Sequence, residues 1–181
     1  MAALTAAATW EASTGYSAGD LVKPTTGGNY WYRAGGAGTS DSGEPSWPAT
    51  VMDTVVDNDI TWTCIEVFQL TPDFGYSWQV EDDVVSSTPL GNSGRREQSV
   101  STGDGEWLSF SLQFSNRDNS DYFTTFKAFW TAQGGTLYKW VFYSPKHAEY
   151  YLVKFASKSH SGTAEFTTIS SFACEIKEVP W

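Results

Sequence analysis

The chain has 181 residues, with 11 Lys and Arg against 21 Asp and Glu, a formal net charge of −10. So acidic a balance excludes free-standing binding to DNA or to anionic lipid, since both require a positive surface. Apolar runs stay well short of the roughly 20 residues that cross a bilayer, and 16% aromatic residues against 18% charged ones suit pleated sheet better than helix.

In chain order, the opening MAALTAAATW lacks the basic and long apolar regions of a secretory signal, so the expectation is a soluble protein made inside the cell. Composition changes near residue 68. Residues 1–68 carry a net charge of −6 and are rich in Gly, Thr, Ser and Pro, whereas 69–181 carry −4 and show longer periodic segments. Two domains are expected, 1–68 and 69–181, joined around Phe68–Pro72. In the first, Asp20–Pro24 and Tyr30–Arg33 form a hairpin about the turn Thr26-Gly27-Gly28-Asn29. Gly35–Pro48 is an aperiodic loop, and Val55-Val56 with Ile60–Ile65 flank Asp57-Asn58-Asp59 as a second hairpin. A domain of this size needs its aromatics inside, so Trp10, Trp31 and Trp62 are expected in the core.

In the second domain, Leu108, Phe110, Leu112 and Phe114 alternate with polar residues as a half-buried strand. Asn119-Ser120-Asp121 then offers caps to an amphipathic helix bearing Tyr122, Phe123, Phe126, Phe129 and Trp130, which Gly134-Gly135 ends. Leu137–Tyr143 and Glu149–Ala156 read as a hairpin, and Ala164 to Ile176 as one long last strand that bends or bulges. The predicted class is mainly β.

Residues that could carry chemistry are few. His147 and His160 lie in no ligand spacing, and His147 is expected to be solvated at a hairpin tip. Glu81-Asp82-Asp83 reads as a solvated acidic loop, Arg95-Arg96 equally as a pair that touches an acidic neighbour or as an exposed turn, and Thr102-Gly103-Asp104-Gly105 as a turn with no phosphate-binding helix behind it. Cys64 and Cys174 stand far apart and are expected to be free or buried thiols. No catalytic residue, cofactor or metal site is expected. Exposed aromatics are the other route to function: Tyr16, Tyr30, Trp31, Tyr32 and Trp47 could present ring faces on which sugars stack, with Trp47 evenly balanced between core and surface.

Trp10-x-x-x-Thr14-x-Tyr16-x-x-Gly19-Asp20-Leu21-Val22, then Ala37-Gly38-Thr39-Ser40, Glu44-Pro45-x-Trp47-Pro48 and Thr61-Trp62-Thr63-Cys64, resembles a small carbohydrate-binding-like β module of phage tail and fibre proteins. The order of the Gly91–Arg96 turn, the strand Trp107–Phe114, the aromatic helix Tyr122–Trp130, Gly134-Gly135, Ser144-Pro145 and the closing Glu175–Val179 resembles the minor tail protein M family of lambda-like phages. That resemblance implies a non-enzymatic distal tail protein of the virion tail tip, made in the bacterial host cytoplasm. Six copies would form a ring joining the tail tube protein to the tip hub protein, with DNA passing through the lumen without specific binding. It further implies a β-sandwich or split barrel of tail-tube type with one flanking helix, to which the first module is an added decoration. Expected subunit or partner contacts are Asp82, Arg95, Arg96 and Lys146, in loops and turns, while Phe126 and Trp130 are expected in the core. The alternative is a glycan-binding tail or fibre adhesin that touches a host-surface glycan through Tyr30 and Trp47.

Overall fold

A computed structural model describes residues 4–73, 75–82, 106–164 and 168–179. The protein is mainly β, built on two sheets with separate cores. In the first half, β1 (Ala8–Thr9), β3 (Leu21–Lys23), β4 (Tyr30–Ala34), β7 (Ile60–Glu66) and β6 (Thr54–Asp57) lie side by side in that order. A separate short ladder joins β2 (Gly15–Tyr16) to β5 (Gly38–Thr39), so the loop expected over 35–48 contains a strand. Both expected hairpins form, with Leu21 opposite Arg33 and Asp57 opposite Ile60.

Alternation along β4 sends its side chains to two destinations. Tyr32 and Ala34 enter the first core with Trp10, Val22, Ile60, Trp62 and Cys64. Trp31, on the opposite face, packs with Ile65, Ala7 and Val141 of the second half. The first core closes around a polar centre. Asp57, 2% exposed, accepts the indole N–H of Trp10 at 2.8 Å and of Trp62 at 3.0 Å on Oδ2, and the backbone N–H of Asp41 at 2.8 Å on Oδ1. A buried carboxylate survives only with its oxygens satisfied, and buried indoles need an acceptor; each meets the other's requirement.

The second half is a six-stranded antiparallel sheet. Its main path runs β10 (Trp140–Ser144), β11 (Glu149–Phe155), β13 (Ile169–Glu178), β9 (Glu106–Asp118), β8 (Ser77–Asp82), and β12 (Ser161–Ala164) pairs with β13. Leu108, Phe110, Leu112 and Phe114 are buried as the alternation predicts, facing Phe172, Cys174 and Ile176 of the neighbouring strand. The sheet curls so far that residues at its two edges touch: Tyr76, just before β8, hydrogen-bonds Ser144 of β10 at 2.6 Å. Arg117 holds the approach to β8 in place, bonding Thr71 O at 2.6 Å and pairing with Asp73 at 3.4 Å.

Three expectations are corrected. The last strand is two: β12 and β13 form a hairpin, with a register shift between Ser170 and Phe172. The helix opens as a π-helical segment, Asp121–Phe126, in which the Lys127 N–H reaches back to Tyr122 O, and continues as α1 (Lys127–Ala132). Five-residue spacing turns Phe123 outward, 55% exposed, while Phe126 and Phe129 cover the sheet. The local cap is Asp118, whose Oδ1 takes the Ser120 N–H at 2.9 Å, because Asn119 Oδ1 is engaged by Ser170 Oγ. Gly134 and Gly135, at φ +59° and +64°, end the helix as expected, with the Gly135 N–H bonded to Trp130 O. Finally, Glu81 and Asp82 are strand, not loop: they close β8 opposite Trp107 and Glu106. Alternating Trp78 and Val80 is the strand signal that the acidic triplet obscured.

Asp57→Ala leaves two indole donors and one amide without an acceptor, and chemical denaturation is expected to show a loss of about 3 kcal/mol, with Asp57→Asn losing less. Both cysteines are buried in different cores, and burial pushes each thiol up to about 12. A thiol reagent at mildly alkaline pH should leave both untouched in the native protein and label both in guanidinium.

Candidate functional site

Three places gather polar and aromatic groups. The first is the Trp47 loop. Its ring lies 4.2 Å from that of Tyr32, tilted by 34°, and meets Trp62 edge-on at 6.1 Å. The indole N–H donates to Glu44 Oε1 at 2.8 Å, the same oxygen that accepts the Thr25 N–H at 2.8 Å, while Thr25 Oγ1 bonds Oε2. Burial raises the Glu44 carboxyl, but these three donors outweigh it and hold the group below the usual carboxylate range. Trp47 is therefore half-buried and pinned by its own loop. Tyr30 is also half-buried against the first core, on the same face of β4 as Tyr32. Both residues expected to meet a glycan thus give part of their surface to the fold.

The second place is the end of the curled sheet. Ser144 Oγ lies 2.8 Å from His147 Nδ1 and 2.6 Å from Tyr76 OH, and the Lys146 N–H donates to the same tyrosine oxygen at 3.1 Å. A serine bonded to a histidine invites a nucleophile reading. Here Ser144 is fully buried and already engaged by Tyr76, so no substrate carbonyl can reach it. The cluster is a hydrogen-bonded latch between sheet edges. His147, expected to be solvated, is half-buried, with Trp78 at 5.2 Å and Phe110 at 6.2 Å. Lys146 is exposed in the β10–β11 turn. Asp82 ends β8, about 20 Å away along the strand, so the two are not brought together. Arg95 and Arg96 lie outside the described residues, as do Asp83 and the turn at 102–105. Beside the latch, Trp78 and Val80 stand 41% and 45% exposed on β8, and among the described residues no strand pairs with its outer edge. Sequence reasoning passed over both.

The third place is the seam between the halves. Val67 bridges Val141 in parallel, the Phe68 N–H bonds Val141 O at 3.0 Å, and Trp31 packs on Tyr150 at 4.8 Å. Glu66 Oε2 accepts the side-chain amide of fully buried Gln133 at 2.7 Å, while Gln133 Oε1 has no partner among the described residues. Burial pushes the Glu66 carboxyl up, against the pull of that amide. Burial, with Arg33 and Lys154 nearby, pushes the Lys139 ammonium down. Nothing in the sequence pattern linked Glu66 to Gln133, 67 positions apart.

Among the described residues, no group of three or more His, Cys, Asp or Glu could hold a metal ion. No protein-family profile, curated protein or solved structure matches the chain.

The seam gives a signed prediction. The folded state holds the Glu66 proton more tightly than the unfolded chain, so this contribution is full below the ordinary glutamate pKa and is lost as pH climbs through the raised value. In Glu66→Gln the new amide can both accept from Gln133 and donate to its unpaired Oε1. Denaturation at neutral pH should show the variant more stable by about 1 kcal/mol. That advantage should shrink as pH falls through the raised value, where the native carboxyl is itself protonated.

Proposed function

We propose that the chain is a structural subunit of a long-tailed phage tail tip, a distal tail protein that assembles into a ring of six between the tail tube and the tip hub. The observation that carries this reading is the β8 edge: the Tyr76–Ser144 latch draws the two ends of an antiparallel sheet together, yet among the described residues no strand covers β8, where Trp78 and Val80 stand partly exposed opposite Phe110 and Leu108. Monomeric proteins guard such edges, because they offer unpaired backbone groups and apolar side chains to any neighbour. A ring needs a heterologous contact, so the β8 edge of one copy would meet a different face of the next. The sequence resemblance to minor tail protein M supports the same role, and so does the net charge of −10, which keeps passing DNA from sticking to a lumen wall.

A second reading has its own observation. Trp47 is held by Glu44 and Tyr32 with part of its ring still open, which suits a sugar-stacking contact on the first module. It assigns that module to a host-surface glycan, in an adhesin or alongside the ring.

Negative-stain microscopy with light scattering tests the lead reading. A closed ring with a central hole and a mass of six copies is expected, and Trp78→Lys with Val80→Lys should leave monomers whose circular dichroism is unchanged. A wild-type chain that stays monomeric at high concentration, or rings indifferent to both lysines, would count against it.

A further inference from the structure

The outer face of the second sheet carries a cavity that neither the ring reading nor the Trp47 module uses. Phe155 pairs with Ile176, the Ala156 N–H bonds Glu175 O and Ser161 pairs with Ala173, so residues 157–160 span the distance that Cys174 covers on β13. The surplus backbone is lifted off the sheet and roofs a cavity of about 460 Å³. Its lining includes Ser111 and Gln113 of β9, Glu175 of β13, and Ser157, Ser159 and Ser161 of the arched segment. A shallower extension of about 230 Å³ continues past Ser115, Thr163 and Ser171. Ala173 lines both, and its small side chain leaves room for a ligand to approach the strands. Ser157 and Ser159 are ordered relative to each other, with their hydroxyls 3.3 Å apart and the Ser159 N–H donating to Ser157 Oγ.

The lining selects by chemistry. An apolar ligand would leave many hydroxyls without partners, at a cost for each. An anion would meet Glu175, neither cavity is lined by a lysine or arginine, and burial, with Lys127 nearby, holds the one imidazole in the lining, His160, toward its neutral form. A hard divalent cation would find one carboxylate where such sites gather several oxygen ligands with more charge. Hydroxyls and an amide that both donate and accept, beside one carboxylate that accepts from two neighbouring O–H groups, match a neutral polyol. The volume lies in the range of small-molecule sites. We infer that the cavity under the 157–160 arch binds one or two rings of an uncharged saccharide. It requires neither ring assembly nor the Trp47 loop.

The test is a titration of the ¹⁵N-labelled full chain with glucose, galactose, N-acetylglucosamine and their β-linked disaccharides, with inorganic phosphate as the anionic control. With at least one saccharide, the backbone amides of 157–161 and the Gln113 side-chain amide should shift saturably. Ser111→Val, a β-compatible change, and Gln113→Ala should each weaken that binding by about tenfold, the order expected when a site loses one hydrogen bond. No shift with any saccharide, shifts confined to the Tyr30 and Trp47 region, or an equal response to phosphate would overturn the assignment. The wild-type titration decides it even if a variant fails to fold.

Discussion

The structure turns on Phe68. Two residues beyond the end of β7, its ring sits in the core of the other half, 4.9 Å from Phe129, 5.2 Å from Trp140 and 5.9 Å from Phe114. Its backbone N–H is tied to Val141. Composition places the boundary between halves at this residue, and a boundary is ordinarily where few contacts cross. Here the crossing residue plugs one core while its strand neighbours Ile65 and Trp31 seal the seam. Removing the first half would therefore open the second core and bare Val141 and Tyr150, which Trp31 and Ile65 cover.

The same economy explains the aromatic content. Tyr122, Phe126, Phe155, Phe172 and Trp130 form one continuous set of ring contacts beneath the helix, with His160 against three of them. A single short helix must cover a curled sheet, and flat side chains fill that space with few residues. The π-helical start belongs to this packing: it sets Tyr122 nearly parallel to Phe126, and Gly162 of β12 runs so close to the Tyr122 ring that a Cβ there would lie 2.7 Å from it. In the first half, where no helix is available, buried Asp57 organises two tryptophans instead.

What could be read from sequence follows from how local each signal is. The strand over 108–114, both first-half hairpins and the glycines at the helix end were legible because alternation and turn chemistry are written within a few residues. Strand β8 was not, since three acidic residues at its end pulled the reading toward a loop, although pairing with β9 settles its state. The split between β12 and β13 was hidden because polar and apolar residues keep alternating across it. The Asp57 node, the Glu66–Gln133 bond and the Tyr76–Ser144–His147 latch join positions from different elements, and no pattern along the chain announces them. Of the expected contacts, Lys146 stands exposed in its turn, while Asp82 belongs to a paired strand.

The two edges of the six-stranded sheet are unequal. Along β10 the chain lays its own Val67 and Phe68, whereas among the described residues β8 has nothing beyond it. A fibril grows when every copy offers a free edge on both sides, so that each added strand exposes the next template. This sheet is lopsided in that sense: on the β10 side a joining strand would first have to displace the chain's own Val67 and Phe68 from Val141.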